Sequence, residues 1–128
     1  MKTASAVTIY RGFWCEYWVE SPTAGDEPVL VASLRATTPS QAVRWIRLTL
    51  RIIVPALEGA AAERAWTWLD TGYKGDVDAL IHNRACAVSA NYAATRVSWT
   101  VRPALFLPMA HPSINEVPPC SARLRLTE

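Results

Sequence analysis

The hydrophobic positions alternate near both ends of the chain and recur at helical spacing in its middle. Residues 6–20 read as a long strand. One of its faces would carry Val7, Ile9, Arg11, Phe13, Cys15, Tyr17 and Val19, and the other Thr8, Tyr10, Gly12, Trp14, Glu16, Trp18 and Glu20. The first set is the better core face because only Arg11 interrupts it. Gly12 is the expected site of a bulge in so long a strand. Ser21 to Glu27 is dense in turn residues, and Val29 to Ala36 returns as a second strand, which makes a hairpin. At the other end, Arg96 to Arg102 alternates strictly between polar and apolar, the pattern of a half-buried antiparallel strand. Cys86 to Tyr92 is its partner across a short Ala93-Ala94 turn.

The middle is helical. Thr38-Pro39-Ser40-Gln41 combines a capping hydroxyl, a proline at the first helical position and a Gln three residues after the cap. The apolar run that follows is interrupted by Arg44, Arg47 and Arg51, which fall in one narrow stripe at 3.6-residue spacing. So wide an apolar arc calls for cover on more than one side, by the sheet and by a second helix or another subunit. Ile46 and Ile53 lie at its centre. Pro55 should kink or end the helix, with Gly59 as its stop. Ala60 to Thr71 reads as a second helix burying Ala62, Ala65, Trp66 and Leu69, ended by Gly72, and Asp76 caps a short third helix reaching His82 or Asn83. From Pro103 onward the prolines argue against regular helix or central strand. An extended tail held where Leu105, Phe106, Leu107 and Ile114 find pockets is expected there. The order is therefore strand-strand, two or three helices, strand-strand. This is a two-layer α+β domain over residues 1–105 with an extended Pro-rich tail over residues 106–128.

Composition modifies this picture little. The 128 residues suffice for one self-supporting core, and 51% hydrophobic against 19% charged leans toward extra burial, such as against a second copy. Thirteen basic residues oppose 11 acidic ones without any block of like charge, so neither a polybasic arm nor an acidic tail is present. Cys15, Cys86 and Cys120 have no metal-type spacing and suggest no disulfide framework. The start of the chain does not read as a signal peptide, and the most apolar window, Trp45 to Leu57, is too short and too charged to span a bilayer. A cytoplasmic protein with no membrane role is the expectation.

Three surfaces carry candidate chemistry. Tyr10, Trp14, Glu16, Trp18 and Glu20 alternate aromatic and acid on the outer face of the first strand, a pattern that fits a surface for a protein partner or for a homodimer. The competing reading is a sheet covered on both faces, by the tail or by a twin subunit. Arg44, Arg47 and Arg51, with Arg96 and Arg102 assisting if the last strand lies nearby, would suit a nucleic-acid backbone. Equally, the stripe would be the solvated edge of an apolar helix, and Arg96 and Arg102 would pair with Glu16 and Glu20. Asp78 and His82 stand four apart, close enough for an orienting acid and a general base, which is also the arrangement of an ordinary surface pair at a helix end. His111 has no evident companion, no metal or cofactor motif is visible, and each cysteine reads as a small buried hydrophobe. A binding or adaptor protein leads, a nucleic-acid-binding domain follows, and a small enzyme comes third.

Overall fold

The computed structural model describes residues 8–25 and 27–108. Residues 6 and 7 of the expected first strand, and the tail from residue 109 with His111, Ile114 and Cys120, lie outside that set. Residues 11–105 form one compact unit.

Four antiparallel strands make one sheet, backed by helices in a two-layer α+β arrangement. Strand β1 (Tyr10–Glu20) pairs with β2 (Val29–Ala36), and β3 (Cys86–Tyr92) with β4 (Thr95–Phe106). The sheet order is β2-β1-β4-β3, so the two longest strands are central and each hairpin's shorter arm is an edge. The core face of β1 is the expected one: Cys15 is fully buried, and Phe13, Tyr17 and Val19 pack on the core. Ile9 and Arg11 of the same set are exposed. Val97, Trp99 and Val101 of β4 complete the core face, with Trp99 stacked on Tyr17 at 4.9 Å between ring centroids. The bulge falls between Tyr17 and Trp18, where Val31 of β2 has no partner; the ladder with β2 begins only at Phe13, beyond Gly12. Pro103 does not end β4, contrary to expectation. The pairing of β4 with β3 stops at Val101, so the missing N–H of Pro103 falls where β3 no longer needs a donor. Leu107 is exposed, and Leu105, though largely exposed, lines a cleft with Arg11, Phe13 and Leu80.

Helix α1 (Pro39–Ile53) starts as its sequence dictates: Thr38 Oγ1 accepts from the Gln41 N–H at 3.0 Å. The reciprocal Gln41 contact reaches the Thr37 N–H at 2.6 Å, one residue before the cap. Ala42, Val43, Ile46 and Leu50 are buried by this helix, and Pro55 follows in a 3-10 turn (Val54–Ala56) that ends it. Gly59 is not a stop but the first residue of α2 (Gly59–Thr67), at φ 58°.

The largest departure concerns the next stretch. Gly72 ends nothing and Asp76 caps nothing, because a five-residue π turn (Trp68–Gly72) joins α2 to α3 (Tyr73–Ile81). Gly72 serves close approach instead, since a Cβ there would stand 3.1 Å from Trp68 Cδ1. The Trp68 indole N–H donates to the Asp76 carboxylate at 2.7 Å, tying the turn to α3. Ala65 and Leu69 are buried as expected, but Trp66 is exposed and Trp68 packs on the core in its place. Helix α3 lies against α1 and against β3. Even so, the arc of α1 is not covered all round: Leu48 is 53% exposed and Ile52 79%.

Candidate functional site

The three arginines of α1 line one groove. Its volume is about 320 Å³, and Arg44, Arg47, Arg51, Ser40, Val43 and Leu48 from α1 face Tyr73 and Val77 from α3 across it. No carboxylate among the described residues lines it. Among the described residues, none of the three arginines makes an ion pair. The groove is therefore a concave site of uncompensated positive charge between two helices, and such a site concentrates anions.

Arg47 is the most constrained of the three. Its guanidinium carbon lies 4.0 Å from the centroid of the Tyr73 ring, a cation–π contact worth on the order of 1 kcal/mol. Its Nε is buried without a hydrogen-bond partner, so the terminal nitrogens are the part of the fork left for a ligand. The Tyr73 ring is itself positioned by Trp68, edge-on at 6.4 Å, and Trp68 by Asp76. The π turn thus builds the floor of the groove: it spaces Trp68 and Tyr73 so that one braces the other under Arg47. Nothing in the hydrophobic period announces a π turn, so Tyr73, Trp68 and Asp76 have no sequence signal as site residues. What signals the site is the arginine stripe alone.

The outer face of the sheet is organised differently. Glu16 accepts from both indoles of β1, Trp14 Nε1 at 3.0 Å and Trp18 Nε1 at 3.1 Å, while Arg102 Nη1 lies 3.9 Å from the same carboxylate. Trp14, Glu16, Trp18 and Glu20 are half-buried, and Tyr10 is exposed at the start of β1. Arg102 comes within ion-pair reach of Glu16, one of the two pairings weighed for it. Arg96 and Arg102 alternate with the core residues Val97, Trp99 and Val101, so they project from the sheet face opposite the helices. They do not join the α1 stripe, and the arginines form two separate groups.

Asp78 and His82 meet at the exposed end of α3. His82 Nδ1 is 2.8 Å from the Asp78 carbonyl oxygen and 3.5 Å from its carboxylate. Neither lines the arginine groove, nor the larger cleft of about 470 Å³ between Arg11, Phe13, Leu80, Ile81, Asn83 and Leu105. Burial pushes the Cys15 thiol up to about 11, and burial with the nearby Asp76 charge pushes that of Cys86 up to about 12. Both stay protonated and unreactive at neutral pH. Among the described residues no cluster of His, Cys, Asp and Glu has the makings of a metal site, and no helix is long and apolar enough to cross a membrane. No protein-family model matches the chain, and neither does any curated protein or solved structure.

Proposed function

We propose that this is a binding protein whose ligand is a phosphate-bearing polyanion, seated in the groove between α1 and α3. The observation that carries this reading is the lining of the groove: three guanidiniums, no carboxylate, and no ion pair to neutralise any of the three among the described residues. Guanidinium forks match phosphate oxygens in geometry as well as charge. Arg47 is the anchor because Tyr73 holds it before the ligand arrives, which reduces the ordering cost of binding. Arg44 and Arg51 flank it on the same helix face.

The test uses inorganic polyphosphate, which has phosphates and nothing else. Binding measured by calorimetry should weaken roughly 20-fold between about 50 and 200 mM salt, as expected when about three phosphates are neutralised. Arg47→Ala should cost about tenfold, in line with the loss of one charge-assisted hydrogen bond, and Arg47→Lys should recover only part of it. Binding that is absent, or that ignores all three arginines, would refute the reading.

The protein-partner reading retains one supporting observation. Trp18 is paired with Leu30 of β2 on the outer sheet face, and Val29, Leu30 and Val31 are exposed along that edge strand. Partner capture or self-association that survives Trp14→Ala together with Trp18→Ala would remove this support.

A further inference from the structure

Helix α1 carries two parallel stripes, offset by a single residue. Arg44, Arg47 and Arg51 form the first, and Trp45, Leu48 and Ile52 form the second. One residue is a rotation of about 100°, so the apolar stripe runs beside the arginine stripe over the same length of about 10 Å. Leu48 reaches into the groove itself, Ile52 is largely exposed, and Trp45 is half-buried at the near end. An exposed isoleucine and leucine on the flank of a cationic groove bury no core, so their placement needs another account.

We infer that the polyanion is single-stranded nucleic acid, its backbone following Arg44, Arg47 and Arg51 and its bases lying over Leu48, Ile52 and the edge of Trp45. This rests on the phosphate-binding reading above. The occupant must offer anionic groups in series along about 10 Å and flat apolar surface to one side of them. A single strand has both, because its phosphates and its unpaired bases lie on opposite sides of the sugar chain. A duplex keeps its base faces stacked inside and offers the apolar flank nothing. A bilayer surface is flat and would leave the concave groove between α1 and α3 unfilled. A second copy docked along this flank would bring its own arginine stripe close to the first, which costs energy with no carboxylate in the groove to offset it. The arrangement reads no base edges, so sequence preference should be small.

The experiment compares four probes on the intact protein: a fluorescent thymidine oligonucleotide of about ten residues, within the range of single-strand site sizes, the matching duplex, inorganic polyphosphate, and anionic phospholipid vesicles. The single strand should bind about tenfold more tightly than the duplex or polyphosphate, as expected when base faces cover the exposed apolar surface of Leu48 and Ile52. Ile52→Ser, outside the groove lining, should lower single-strand binding several-fold while leaving polyphosphate binding and the thermal midpoint unchanged, and adding Leu48→Ser should bring the single strand down to the level of polyphosphate bound by the same variant. Equal binding of single strand, duplex and polyphosphate, indifferent to Leu48 and Ile52, would overturn the inference and leave the phosphate reading standing. No binding of any phosphate probe would overturn both. Capture by vesicles that Leu48→Ser and Ile52→Ser abolish, or a dimer that they dissociate, would assign the flank to a membrane or to a second copy and so overturn it as well.

Discussion

The two arginine-bearing surfaces of this protein differ in what their charges meet. On the outer sheet face, Glu16 stands within 3.9 Å of Arg102 and receives the indole N–H groups of both Trp14 and Trp18. In the α1–α3 groove, no carboxylate among the described residues answers Arg44, Arg47 or Arg51, and Arg47 is braced by a ring instead of an acid. The sheet face has more aromatic surface and draws attention first, yet Glu16, Trp14, Trp18 and Arg102 meet one another there. The groove has fewer conspicuous residues and an unmet charge. A surface marks a binding site by what it leaves unpaired, because a self-compensated network gains little from exchanging its partners for a ligand.

Both surfaces depend on the same core, and the largest effect comes from removing it. Trp99 is fully buried and stacked nearly parallel to Tyr17, at 3° between ring planes. Trp99→Ala should cost about 3–5 kcal/mol, seen as an earlier urea midpoint, and should abolish polyphosphate binding along with the fold. Trp99→Phe should cost less, because it keeps the stacking and deletes an indole N–H that is buried without a partner. An unchanged midpoint in Trp99→Ala would mean that the groove and the sheet face do not share this support.

The hairpins were legible because period-two alternation is a local signal: the bounds of β2, the β3–β4 turn and the core face of β1 all follow from it. The α1 start was legible for a similar reason, since a cap, a proline and a Gln act within four residues. The π turn was not. Gly72 read as a stop because glycine usually is one, whereas here it makes room for the Trp68 indole, a contact made within the helical run itself. Pro103 misled for the opposite reason. A proline is excluded from a strand only where a neighbour needs its N–H, and the length of β3 relative to β4 is a property of the sheet, not of the residue. As for the site, the stripe of Arg44, Arg47 and Arg51 was visible in the sequence, while its separation from Arg96 and Arg102 required the layer order.

The next effect, smaller, acts on the comparison directly. Glu16→Gln removes the carboxylate that compensates Arg102 and leaves the fold's apolar contacts intact. If unmet charge is what separates the two surfaces, the sheet face should then acquire weak anion affinity of its own. Measured in an Arg47→Ala background to silence the groove, polyphosphate binding should rise about two- to fivefold, the range set by an exposed ion pair. No rise would mean that groove shape, rather than compensation of charge, makes the difference.

The smallest effect separates stability from binding. Ala93, in the two-residue loop between β3 and β4, has φ 53°, a left-handed conformation that its Cβ disfavours. Ala93→Gly removes that steric cost and adds back some unfolded-chain entropy, for a net gain of about 0.5 to 1 kcal/mol. The hairpin it tightens carries Arg96 and Arg102 on β4 and supplies none of the residues that line the α1–α3 groove. A later thermal midpoint with unchanged polyphosphate affinity is therefore expected. If the affinity moved with the midpoint, the groove would be coupled to the hairpin through β3, which packs against both α2 and α3, and the two surfaces could not be treated as independent.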